Sequence, residues 1–122
     1  MRPGSLYPNS SVQEEIAIQS PPAVVAQACV EVLGKLVEIT TVERTTGRIE
    51  GRWASAWAWL NRIRGAIEVR ISSAGDVTHL SIVAEQAENA FTNGHGAQDM
   101  VAKFVRGVQQ HPKIAGKTSL GW

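Results

Sequence analysis

The sequence predicts an α+β domain of two layers, an antiparallel β-sheet with two helices packed on one face, in the order β-α-β-β-β-β-α. Apolar residues recur at helical spacing near both ends of the chain and alternate between those ends, so the period itself separates helix from sheet. Thr45-Thr46-Gly47 and Ser73-Ala74-Gly75-Asp76 cut the alternating stretch into hairpins. Both helical stripes need an apolar partner, and the inward face of the sheet is the only large one available.

The elements follow in order. Residues 1–11 hold Pro, Gly and Ser without periodic apolar residues and read as a flexible lead-in to a domain spanning 12–111. A short strand is expected over 12–19, where Ile16 and Ile18 alternate with Ala17 and Gln19. Ser20 is placed to cap a helix whose first turn takes Pro21 and Pro22, positions where a missing N–H costs nothing. Val25, Ala28, Cys29, Val32 and Leu33 form its apolar face, and Gly34 suits the left-handed residue beyond its end, which puts the helix at 21–33.

From Lys35 the period changes. Val37, Ile39 and Thr41 are expected on one face, with Glu38 and Thr40 on the other. After the Thr45-Thr46-Gly47 turn, residues 48–54 alternate Ile49, Gly51 and Trp53 with Arg48, Glu50 and Arg52. Residues 55–65 fit either a continuing strand or a turn-rich helical segment. The clearest hairpin joins 66–72, with Ile67, Val69 and Ile71 inward, to 77–85, with Leu80, Ile82 and Ala84 inward. Gly94-His95-Gly96 leads into a second helix over 97–110, striped by Ala97, Met100, Val101, Phe104, Val105 and Val108 and stopped by Pro112. The tail, 112–122, has no clear class.

Composition narrows the function. With 122 residues, 43% apolar and 19% charged, the chain can build one core without metal or disulfide staples. A net charge of +1 argues against strong bulk attraction to nucleic acid or membrane. The single cysteine, Cys29, cannot form an internal disulfide, the first residues lack the apolar core of a signal peptide, and no stretch approaches the roughly 20 apolar residues that span a bilayer. A cytoplasmic protein is the expectation.

The strand leading into Ser20-Pro21-Pro22-Ala23-Val24-Val25, followed by hairpins and a closing helix, resembles the helix-grip proteins, START-like and polyketide-cyclase-like domains among them. The resemblance covers roughly residues 12–110, with about four strands between the helices where that superfamily has six. It implies a small apolar ligand held between the sheet and the last helix. The element order also resembles one repeat of the TATA-binding-protein fold. Fold likeness alone does not carry function.

The densest local chemistry lies in residues 44–70, where six arginines face two glutamates. Trp53, Trp57 and Trp59 share the segment. Guanidinium planes and indole faces together bind anions, aromatic ligands or unstacked bases, so Arg48, Arg52, Trp53, Trp57, Trp59, Arg62 and Arg64 are the ligand-binding candidates. The competing reading seals the indoles into the core or a homodimer contact and leaves the arginines in solvent.

Other motifs give less. Cys29 on an apolar helix face reads as a core thiol. His79, His95 and His111 lack neighbours at ligand spacing, so no metal and no cofactor is expected. Gly116-Lys117-Thr118-Ser119 imitates the end of a phosphate loop without its upstream glycine. No catalytic residue is assigned. The expected function is a non-enzymatic binding or interaction module for a small apolar or anionic ligand. The second expectation is a polyketide-cyclase-like enzyme or lipid carrier, and the third a single-strand nucleic-acid binder.

Overall fold

The computed structural model describes residues 9–57, 61–87, 95–114 and 118–119, with side chains described over 11–53, 65–86 and 96–114. The elements are β1 (Asn9–Ile18), α1 (Pro22–Leu36), β2 (Glu38–Glu43), β3 (Arg48–Trp57), β4 (Asn61–Ala74), β5 (Val77–Ala87), α2 (His95–Gln110) and β6 (Thr118–Ser119). All strand pairs are antiparallel, in the order β2-β3-β4-β5-β1-β6. This is the predicted α+β architecture, with a short sixth strand contributed by the tail.

Alternation builds the sheet as the sequence implies. Ile49, Ile67, Val69, Leu80, Ile82, Ala84, Ile16 and Ile18 are buried on the helix-covered face, while Arg52, Arg70 and His79 stand exposed. The α2 stripe of Ala97, Val101, Phe104, Val105 and Val108 is buried against it, and α1 adds Val25, Ala28, Cys29 and Leu33. Ile114, just past α2, is also fully buried. Each large side chain so buried contributes about 1.5–3 kcal/mol before chain entropy is set against it.

Several local expectations are corrected. β1 begins at Asn9, inside the expected lead-in, because Asn9, Ser10 and Ser11 pair with Ala87, Gln86 and Glu85. Residues 55–65 extend two strands: β3 runs to Trp57 and β4 starts at Asn61, and Trp57 pairs with Asn61. Ser20 does not cap α1. Pro21 is the N-cap, with no side-chain cap bond, while the buried Ser20 carbonyl accepts from Thr78 Oγ1 at 2.6 Å. Nor does Gly34 end α1, which continues to Leu36; the buried Val37 then supplies the cap amide to the Leu33 carbonyl. Tertiary burial of Val37 outweighs the glycine's preference for an end position.

The largest correction concerns β2. Its register shifts between Ile39 and Thr41, so Ile39 faces Gly51, Thr41 faces Glu50 and Val42 faces Ile49. A bulge at Thr40 therefore reverses the parity of the strand. Thr41 leaves the core-facing set it was expected to join, and Val42 enters it. Thr40 Oγ1 donates to the Glu50 carbonyl at 3.3 Å beside this irregularity.

Candidate ligand groove between the first helix and the sheet

With the bulge, part of the helix-side face of the sheet stays uncovered at the β2 edge. Val42 lies on the helix side, opposite buried Ile49, yet is 47% exposed. A groove of about 1010 Å³ opens there. Its floor is Val42, Ile49 and Ile71; its wall is the α1 ridge of Pro22, Ala23, Ala26 and Val30. Helical spacing of three to four residues places those four side chains in line along one face of α1. Small residues at 23 and 26 keep the helix from filling the gap.

The groove end is shaped by the β2–β3 turn. Gly47 takes φ 68°, and its carbonyl accepts from the Ile71 amide at 2.7 Å, which ties the turn to β4. The turn brings Arg44, Thr45 and Thr46 to the rim, and Ser73 adds a further hydroxyl from β4.

Two acidic residues of the groove lining are already engaged. Glu31 on α1 accepts from His111 Nε2 at 2.5 Å, a bond that joins the groove wall to the chain just beyond α2. That hydrogen bond, aided by the fields of His111 and Lys113, holds the Glu31 carboxyl below its ordinary range. Lys113 Nζ also donates to Gln27 Oε1 at 3.4 Å, one turn earlier on the same ridge. Glu43 lies 3.4 Å from Arg48 Nη1.

The arginine and tryptophan candidates divide between the two sheet faces. Arg48 stands on the face away from the helices, where it meets Glu43, Glu50 and, at 3.5 Å, Glu68. Arg70 Nε bonds Glu68 Oε1 at 2.6 Å and holds that carboxyl low. Arg52 is exposed, and its register partners are Glu38 and Ala66. Trp53 is half-buried on the other face, packs on the core and lies across Gly65, where a Cβ would collide with the indole. Trp57 pairs in register with Asn61, Arg62 with Ala56 and Arg64 with Ala54; their side chains, and all of Trp59, lie outside the described residues. Arg48, Arg52 and Trp53 thus share a strand without converging on one point.

Cys29 is fully buried, and burial pushes its thiol up to about 12. It is a core thiol, as the sequence implied. The closing-helix reading placed a ligand space under α2, where Phe104, Val101 and Val108 are buried; the groove lies instead beside α1. Sequence reasoning missed the groove residues altogether, apart from Arg44 within the arginine-rich segment. The small-residue ridge Pro22-Ala23-Ala26 was the available signal.

Comparison with solved structures places this architecture among the helix-grip folds. The chain is similar to Ara h 8.0201, with a TM-score of 0.62 and 11% identity over 83% of this chain and 92% of that one. It is similar to MLL2253 from Mesorhizobium loti, with a TM-score of 0.63 and 17% identity over 83% and 95% of the two chains. A third likeness is Mll3558 from Rhizobium loti, with a TM-score of 0.60 and 13% identity over 85% and 97%. No family model matches the sequence, and no curated protein matches it. The resemblance to helix-grip proteins holds at the level of fold.

Proposed function

We propose that this protein is a non-enzymatic binding module that holds a small, mainly apolar molecule in the groove between α1 and the β2–β3 hairpin. The observation that carries the reading is Val42. A large aliphatic side chain on the core-facing side of the sheet is left 47% exposed, in a groove of about 1010 Å³ walled by further apolar residues. Ligand sites are concave, mostly apolar and furnished with a few polar groups, and volumes of about 300–1,000 Å³ are usual for them. The helix-grip architecture supports a ligand-holding role, since the resemblance read from the sequence implies small apolar ligands.

The test uses a neutral fluorescent probe, N-phenyl-1-naphthylamine. Binding to the unaltered protein should raise and blue-shift its emission to saturation. Ala26→Trp, which fills the wall without entering the core, should weaken that binding at least about tenfold, the effect of losing roughly 1.4 kcal/mol of contact. Far-ultraviolet circular dichroism and a melting curve establish that the variant is folded. Undiminished binding by a folded Ala26→Trp protein would remove the groove as the site.

A further inference from the structure

Resting on that reading of the groove, we infer that its occupant is an amphipathic monocarboxylate, whose apolar body lies along Ala26 and Val30 and whose carboxylate meets Arg44. Three charged residues contribute to the groove lining, Glu31, Glu43 and Arg44, and the Glu43 carboxylate turns to Arg48 on the opposite sheet face. The first is engaged by His111 and the second by Arg48. Arg44 is exposed and has no ion pair or side-chain hydrogen bond among the described residues.

The remaining polar groups point to the same ligand sign. Thr45, Thr46 and Ser73 offer hydroxyls that can donate. Pro22 and Ala23 bring the first turn of α1 to the groove, and that turn has neither an acidic residue nor a side-chain cap. The positive end of the helix dipole is therefore not neutralised locally by its own sequence. Uncommitted groups at the rim are a cation and donors, whereas the carboxylates are occupied.

Charge complementarity then selects the head group. A cationic head would meet Arg44 with no free carboxylate to receive it, and a neutral head would leave the guanidinium unused. One guanidinium matches one negative charge, and its planar fork fits a carboxylate through two parallel bonds.

The experiment compares dodecanoate with dodecanol, both below micellar concentrations, as displacers of the naphthylamine probe from the unaltered protein, Arg44→Gln and Ala26→Trp. Dodecanoate should displace at about tenfold lower concentration than dodecanol, the size of a charge-assisted hydrogen bond partly open to water. Arg44→Gln should abolish that preference and leave dodecanol unchanged. Equal displacement by the two from the unaltered protein, or a preference that survives Arg44→Gln, overturns the carboxylate assignment while the groove stands. Probe binding that is absent, or indifferent to Ala26→Trp, overturns the groove itself and the assignment with it.

Discussion

Burial of the Cys29 thiol leaves a mark on the pH dependence of folding. Its pKa rises from 9.0 to about 12 in the folded chain because the thiolate cannot be solvated on the inner face of α1. The unfolded chain therefore releases its proton first. Cys29 contributes its full share to stability below pH 9, and that share is lost as pH rises from 9 toward 12. The stability gap between the unaltered protein and Cys29→Ala should accordingly narrow between pH 8 and pH 10, as read by urea unfolding at each pH. A gap that stays constant over that range would mean that the thiolate is accommodated in the fold. A carboxylate shows the opposite sign: Glu31, held low by the His111 hydrogen bond, helps above its unfolded pKa and ceases to help as pH falls through the folded value.

At the scale of elements, α1 shows how packing overrides a local signal. Gly34 looked like a helix end, yet it lies inside α1, exposed, and a Cβ there would meet only Ile39 Cδ1 at an ordinary 3.7 Å. Gly34→Ala should raise stability by about 0.5–1 kcal/mol, the cost of glycine within a helix, in denaturant melts. A loss of stability would restore the left-handed end. The β3–β4 pair makes a second case. Register puts Arg48 opposite Arg70 and Glu50 opposite Glu68, two like-charge pairs, and the diagonal contact Arg48–Glu68 together with the same-strand contact Arg70–Glu68 converts them into a network. Arg48→Met should lower stability modestly at neutral pH, since partly exposed pairs are worth little individually but the glutamates lose their common partner. The cost should shrink as pH falls through the lowered range of the Glu68 carboxyl; a cost unchanged by pH would mean that Arg48 acts by packing alone.

Whole-molecule architecture was legible because burial on one face imposes a period, and the period is written locally. Ile67-Val69-Ile71 and Leu80-Ile82-Ala84 announce strands, and Val101-Phe104-Val105-Val108 announces the closing helix, with no need of distant information. The groove was illegible for the converse reason. It depends on a bulge at Thr40, which nothing in Thr40-Thr41 distinguishes from a regular strand, and on the packing of α1 beside the β2–β3 hairpin. The arginine-rich segment attracted attention by composition, yet composition does not say that Arg48 would be surrounded by three glutamates or that Trp53 would lie on the other face. Likeness to proteins only 11–17% identical fits this division. A fold needs the pattern of apolar positions, while a site needs particular residues at places that only the tertiary arrangement brings together.

The most direct measurement is a methyl-resolved NMR titration with N-phenyl-1-naphthylamine. Ligand in the groove predicts saturable shift changes confined to Ala23, Ala26, Val30, Val42, Ile49 and Ile71, its aliphatic lining. Changes clustered at Val12, Ala97 and Met100 instead, with Val42 and Val30 unmoved, would put the ligand beneath the second helix and contradict that placement.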